Sequence, residues 1–278
     1  MIETSIIVPV FGRVDLLTGC LKSVRETVPP GVEVIVSDDG SREAEEIRSV
    51  SEEFGARVLR SPLNKGFSVS CNSAIVQAQG EKIVLLNSDT VVLGDWLSPL
   101  LKWLEWDSIG LVGNLQLKQD GTTVDHLGVF PKKYEGAGGP AFSLQHLYQG
   151  VQISEVPDVA LRAKIVPAVT GACLAMRRDM RLLFDTRYRN GYEDIDLCYR
   201  VRSEHRRQVV IEPASRILHL GSQSEGRFDH EAANRVKFGG DWWEFVDKDP
   251  SLQDAVKADR NGEPRPVPPT FPRSRFSL

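Results

Sequence analysis

Short apolar runs alternate with amphipathic stretches from Ser5 to Leu86, and this alternation limits the fold more than any other feature of the chain. Ser5–Val10 (SIIVPV) reads as a β-branched strand. Leu17, Cys20, Leu21 and Val24 share one face at helical spacing, which predicts a helix over Val14–Thr27. Val32–Val36 is a second strand, Glu43–Phe54 a charged helix, Arg57–Arg60 a third strand, Gly66–Gln79 a helix and Lys82–Leu86 a fourth strand. Strands alternating with helices imply crossover connections and a parallel sheet. The strands are apolar along their length rather than at alternate positions, as expected when helices cover both faces.

The pattern loosens after Trp96. The spacing predicts a helix over Trp96–Trp106 and short strands at Gly110–Gln116 and Thr123–Val129. Tyr134–Gln152 is Gly-rich and takes no assignment. A strand at Ala172–Arg177 is followed by a helix near Arg178, a helix at Glu193–Ser203 and a strand at Gln208–Ile211. Phe228–Phe245 reads as a last helix docked by Trp242 and Trp243, and Pro264–Pro272 as irregular chain.

Bulk properties exclude several classes. The chain has 278 residues, 41% hydrophobic and 26% charged, which is the composition of a globular protein with a sizeable core. Its net charge of -4 supplies no global field for nucleic acid. No apolar run approaches the roughly 18 residues that a transmembrane helix needs, and MIETSIIVPV lacks the positive charge of a secretory leader. Cys20, Cys71, Cys173 and Cys198 are scattered without a CxxC pair, so buried free thiols in a reducing cytoplasm are expected rather than zinc or disulfides.

Polar clusters end several of the apolar runs. In LLNSDT the run stops at Asn87, Ser88 and Asp89. These are turn formers, but the carboxyl end of a parallel strand is also where open α/β sheets bind ligands. Asp89 has the hard oxygen donor that Mg²⁺ or Mn²⁺ prefers. SDDGS, Ser37–Ser41, closes the second strand in the same way; its carboxylates suit a base N–H or ribose hydroxyls as well as a helix N-cap. In YEDIDLCYR, Glu193, Asp194 and Asp196 stand at a loop-to-helix junction, where the helix dipole favours carboxylates and one could act as a general base. TGACLAMRR, from Thr170, has small residues that would let a substrate approach the backbone, and His219 ends another apolar run. GAGG, Gly136–Gly139, is not framed by a strand and a helix, so it is no dinucleotide fingerprint.

In order, SIIVPVFGR, VIVSDDGS, NKGFSVSCNSAI, LLNSDT, TGACLAMRRD, YEDIDLCYR, HLGSQS and NRVKFGGDW resemble the family 2 glycosyltransferases of the GT-A fold, over most of Ser5–Trp243. The likeness is nearest to bacterial rhamnosyltransferase-like and polysaccharide-building members. It implies an α/β fold, a Rossmann-like mixed and mostly parallel sheet flanked by helices. Residues 1–250 would form one domain, with a nucleotide-sugar half to about 115 and an acceptor and base half beyond; residues 251–278 would be a Pro/Arg-rich tail.

The resemblance implies roles residue by residue. Pro9, Val10, Phe11 and Arg13 match the first nucleotide-contacting loop, Asp39 the acid at the nucleobase, and Asn64, Gly66 and Asn72 the element shaping the donor pocket. Asp89 matches the last acid of the DXD metal motif, whose first position is Asn87 here, and Ser88 falls to the nucleotide. His219 matches a further metal position, Asp194 the catalytic base with Glu193 beside it, and Gly171 and Ala172 the loop near the acceptor. The implied reaction is inverting transfer from a UDP- or dTDP-sugar, with Mn²⁺ or Mg²⁺ as cofactor, to a glycan, lipid-linked glycan or protein. A lipid-linked acceptor would imply peripheral docking at the inner face of the membrane, through Arg260, Arg265, Arg273 and Arg275, although a solvated tail is the simpler reading of those charges. Two other classes share parts of this pattern: a sugar nucleotidyltransferase, whose basic Gly-rich loop VPVFGRVD lacks, and an inactive sugar-nucleotide-binding scaffold, against which Asp89 and Asp194 together argue.

Overall fold

A computed structural model describes residues 2–136, 139–221 and 229–248. In chain order the first elements are β1 (Thr4–Val10), α1 (Val14–Thr27), β2 (Glu33–Asp38), α2 (Ala44–Glu53), β3 (Arg57–Arg60), α3 (Phe67–Gln77), β4 (Lys82–Leu86), β5 (Thr90–Leu93) and α4 (Leu97–Trp103). Then follow β6 (Ile109–Leu117), β7 (Val124–His126), β8 (Val129–Gly136), β9 (Gly139–His146), β10 (Lys164–Ile165), β11 (Cys173–Arg177), α5 (Glu193–Ser203), β12 (Gln208–His219) and α6 (Glu231–Lys248).

Eight strands run in the order β10-β12-β6-β11-β4-β1-β2-β3, with β5 paired to β12 and β7 to β6. The β4-β1-β2-β3 half is parallel, and β11 joins it antiparallel to β4. Successive residues of each strand enter opposite cores. Ile6, Val8, Val36 and Val84 pack with Leu17, Leu21 and Val24 of α1, Ile47 of α2 and Leu100 of α4. Ile7, Ile35 and Leu85 pack on the other face with Cys71, Ala74 and Ile75 of α3 and with Ile195 and Cys198 of α5. Two covered faces explain why these strands are apolar throughout. All four cysteines are free and buried. Among the described residues no helix is long and apolar enough to cross a membrane.

The structure corrects four expectations of the sequence. Within Tyr134–Gln152, which took no assignment, most of the chain belongs to a β8–β9 hairpin. Phe142 of that hairpin meets Phe238 and Trp243 of α6 with ring centroids 5.3 and 5.2 Å apart, so the pair is held by aromatic packing rather than by alternating pattern. Thr90–Leu93 forms β5, a strand too short to read. The strand expected at Gln208–Ile211 continues past a register shift between Glu212 and Arg216 as far as His219. The helix expected near Arg178 is one 3₁₀ turn, Arg178–Met180. On α6, Trp242 packs against Tyr199 and Phe245, while Phe228, Pro264–Pro272 and the tail arginines lie outside the described residues.

Candidate active site

β1, β2 and β4 end on the same edge of the parallel half, so their following loops meet there. The Gly12 N–H donates to Ser41 Oγ at 2.8 Å, and the Asp39 N–H to the Val10 carbonyl at 2.9 Å, tying the first two loops together. Pro9 and Val10 are buried strand residues; Phe11 is 49% exposed, and Arg13 stands in the left-handed region at φ 49°. Asp39 accepts the Lys65 N–H at 2.9 Å and the Gly66 N–H at 2.8 Å. Burial pushes its carboxyl above the usual range, although those two N–H groups pull it down. Beside it lies a cavity of about 230 Å³ whose lining includes Ser37, Asp39, Arg60 and Lys65.

Asn64 is exposed in the loop before α3, and Gly66 caps that helix at φ 90°. Arg189, a residue the sequence did not single out, lies across Gly66: a Cβ there would stand 3.6 Å from Arg189 Cγ. Asn72 is engaged elsewhere. Its amide nitrogen donates to the Phe184 carbonyl at 2.9 Å and its oxygen accepts the Phe184 N–H at 2.8 Å, clamping α3 to the segment before α5.

The loop of Asn87, Ser88 and Asp89 is held from both sides. The Asn87 N–H donates to the Ala172 carbonyl, and the Leu220 N–H donates to the Asp89 carbonyl, both at 2.9 Å. Antiparallel pairing of β5 with β12 sets Thr90 opposite His219. His219 Nε2 then lies 3.6 Å from Asp89 Oδ1, while Nδ1 lies 2.9 Å from Asp125 Oδ2. Burial would lower the pKa of His219, but the two carboxylates outweigh it and push it up to about 9. For Asp125, burial opposes ionisation and the His219 hydrogen bond and charge overcome it, leaving the carboxyl below its usual range.

His219 Nε2 and Asn87 Oδ1 are both buried and have no hydrogen-bond partner. These unpaired buried atoms beside a carboxylate fit a divalent cation, which would take the place of the His219 Nε2 proton: two oxygen donors and an imidazole nitrogen suit the harder first-row ions and Mg²⁺. Asp185, Asp196 and Asp241 also bring carboxylate oxygens within 4.8 Å of one another. That cluster is an ion-pair network: Asp185 pairs with Arg187 and Lys237, Asp241 with Lys237, and Asp196 with Arg200 and the Trp242 indole.

At the start of α5 the three acids diverge. Tyr192 precedes the helix at φ 71°, and Glu193, buried, turns back to accept the Gly191 N–H at 2.5 Å. Asp196 faces Arg200 and Trp242. Asp194 accepts the Gly171 N–H at 2.8 Å on Oδ2 and the Ile195 N–H at 2.9 Å on Oδ1. Burial raises its pKa, with those N–H groups working against the rise. The dipeptide Gly171–Ala172 therefore touches both the Asp194 carboxylate and the Asn87 loop. Asp125 gave no signal in the sequence, because one acid in the three-residue strand VDH acquires meaning only when β12 delivers His219.

Residues 5–180, more than half of the chain, match the family described as Glycosyl transferase family 2. The chain belongs to glycosyl transferase family 2. The Uncharacterized protein y4gI of Sinorhizobium fredii (strain NBRC 101917 / NGR234) is 31% identical over 235 residues, 81% of this chain and 25% of that protein. The GalNAc(5)-diNAcBac-PP-undecaprenol beta-1,3-glucosyltransferase of Campylobacter jejuni subsp. jejuni serotype O:2 (strain ATCC 700819 / NCTC 11168) is 28% identical over 144 residues, 50% of this chain and 44% of that one. The chain thus spans 25% and 44% of the length of these two curated relatives. Among solved structures, GalNAc-T7 with UDP, GalNAc and Mn²⁺ superposes with a TM-score of 0.63 at 16% identity, over 89% of this chain and 49% of that one. The fold is that of the GT-A glycosyltransferases, and the chain carries the glycosyltransferase domain of family 2.

Proposed function

We propose that this domain transfers a sugar, with inversion, from a nucleoside diphosphate sugar to an acceptor hydroxyl, with Asp194 as general base. The observation that carries the proposal is the pairing of two opposed features across Gly171–Ala172. On one side is the cation-ready set of Asp89, His219 and Asn87; on the other is a carboxylate held by two backbone N–H groups.

Asp39 and the Lys65–Gly66 backbone would border the nucleoside pocket, and Pro9, Val10, Phe11, Arg13, Asn64 and Ser88 would contact the nucleotide, as the family likeness implies. Asn72 shapes it indirectly by fixing α3 to Phe184. Asp89 and His219, with Asn87, would hold Mn²⁺ or Mg²⁺, whose Lewis acidity would stabilise negative charge on the diphosphate. Asp194 removes the acceptor proton as the acceptor oxygen bonds to the anomeric carbon and the bond to the diphosphate breaks. The proton ends on Asp194 and the electron pair on the leaving phosphate. Inversion needs no enzyme nucleophile, so a single base within about 3 Å of the hydroxyl is sufficient. Glu193 fixes the loop that presents Asp194, and Gly171 and Ala172 leave room for the acceptor.

The cited glucosyltransferase is named for an undecaprenol-linked glycan, which favours a lipid-linked or other glycan acceptor over protein. For that acceptor the domain would work at the cytoplasmic face of a membrane as a peripheral protein. GalNAc-T7 holds UDP and Mn²⁺, which supports a nucleotide donor and Mn²⁺ here.

The test is thermal unfolding with UDP-, dTDP- and GDP-sugars, each with and without Mn²⁺, followed by transfer assays. A rise in melting temperature with one nucleotide, larger with Mn²⁺, is expected by mass action. Asp194→Asn should then abolish transfer and preserve that rise. Stabilisation by a nucleotide with no transfer would instead support a scaffold, and no stabilisation by any of these nucleotides at millimolar concentration would overturn the donor site.

A further inference from the structure

We propose that Asp125 is a positioning residue: it fixes the ring of His219 so that the Nε2 lone pair faces the cation site at Asp89. The inference rests on the reading of Asp89 and His219 as cation ligands and assigns a function to a residue outside that set.

The argument begins with hydrogen-bond chemistry. A neutral imidazole has one nitrogen that donates and one that accepts, and an ionised carboxylate only accepts. Asp125 Oδ2 lies 2.9 Å from His219 Nδ1, so this contact requires the proton on Nδ1. A ring that binds a cation has given up its other proton, and its lone pair is then on Nε2. That atom is buried, lacks a hydrogen-bond partner and stands 3.6 Å from Asp89 Oδ1, beyond hydrogen-bond length. A carboxylate behind a ligating histidine sets both its tautomer and its ring angle.

The backbone makes Asp125 fit for this task. Its strand, β7, is braced on both sides. It pairs with β6 through Gln116↔His126 and Leu117↔Val124. On the other side the Val124 N–H donates to the Val151 carbonyl at 2.9 Å, and the Gly150 N–H to the Val124 carbonyl at 2.8 Å. Gln152 Nε2 adds a bond to Thr123 Oγ1 at 2.9 Å. Leu117 of β6 pairs with Val124 and also with Leu218 of β12, so Asp125 and His219 are carried by strands flanking the same residue. Neither partner sits on a free loop, and a hydrogen bond between them holds the ring against the sheet itself.

The experiment is a titration of the full chain with Mn²⁺ alone, reading free aquo-ion by EPR, for the unaltered protein, Asp125→Asn, His219→Ala and the double variant. Melting temperatures without metal are recorded for each. Asp125→Asn is expected to weaken Mn²⁺ binding about 10–100-fold, and the double variant to bind no more weakly than His219→Ala. Loss of binding in His219→Ala with full binding in Asp125→Asn overturns the inference and leaves the cation reading intact. An undiminished effect of Asp125→Asn in the His219→Ala background also overturns it, because Asp125 would then act independently of the ring. Unchanged binding in His219→Ala overturns the cation reading, and this inference with it. A second measurement does not depend on any variant folding: ¹⁵N NMR of the unaltered protein with Mg²⁺ should show His219 protonated at Nδ1, and protonation at Nε2 overturns the proposal.

Discussion

Gly171 donates its backbone N–H to Asp194 Oδ2 at 2.8 Å, and there is little space for more than a hydrogen at its Cα. An added Cβ would stand 3.3 Å from Phe67 Cζ and 3.5 Å from the Cβ of Asp194. Gly171→Ala is therefore expected to keep the fold, because the Phe67 ring edge has some freedom to yield, while moving the base by a few tenths of an ångström. Misplacement of a reacting group by about 1 Å can cost about 100-fold, so a fall in kcat of roughly 10-fold is expected, with donor KM little changed. Steady-state kinetics check this; a variant with unaltered kcat would show that the carboxylate is not the reacting group.

Acidity of Asp194 leads to a pH expectation. Burial raises its pKa, with the Gly171 and Ile195 N–H groups opposing the rise. A general base works ionised, so activity is present above its pKa and is lost as pH falls through it. The raised value places the acid limb of kcat/KM above the position expected for an ordinary aspartate, about 3.9. A pH profile at saturating Mn²⁺ reads this directly. An acid limb at or below that position would argue against the assignment.

Gly40 carries a different constraint. Its φ is +80°, and a Cβ would lie 2.6 Å from the Leu63 carbonyl carbon and 2.7 Å from the Asn64 nitrogen, both backbone atoms. The next two residues, Lys65 and Gly66, donate to Asp39. Gly40→Ala should thus cost about 1–3 kcal/mol in backbone strain and also push the loop away from Asp39, raising donor KM. Urea unfolding and nucleotide titration measure the two effects separately. A variant unchanged in both would show that the loop does not depend on this close approach.

These residues also show how much the sequence disclosed. The parallel half was legible because β2 and β4 end as apolar runs closed by turn formers, in VIVSDDGS and LLNSDT, and β1 is a β-branched run. The family likeness selected Asp39, Asp89, Asp194 and His219; the fold carries Asp39 and Asp89 on loops after strands, His219 at the end of β12 and Asp194 in the first turn of α5. What was hidden is tertiary. β5 has four residues, and β12 crosses a register shift at Glu212–Arg216, so neither has a readable period. The β8–β9 hairpin is held by Phe142 against α6, a contact between segments far apart in sequence. Asp125 illustrates the same limit at the site: its partner is 94 positions away. Asn72 shows a further one, since a motif position does not reveal that its amide is paired with the Phe184 backbone.

Asn87 offers a test of the cation site by addition rather than removal. Its Oδ1 is buried without a partner, in the position where the DXD pattern has an acid. Asn87→Asp would put a second carboxylate in the loop that holds Asp89. Without metal the new charge is placed where Asn87 Oδ1 is buried and repels Asp89 in the same loop, so the melting temperature should fall. With Mn²⁺ the extra charge strengthens binding, as ligand charge count does in other oxygen-donor sites. The variant is therefore expected to be less stable alone, to gain more from Mn²⁺ than the unaltered chain, and to bind the ion more tightly. Melting curves with and without Mn²⁺ measure both effects. A loss of stability with no added gain from Mn²⁺ would mean that Asn87 Oδ1 does not face the cation and that Asp89 and His219 hold it without this residue.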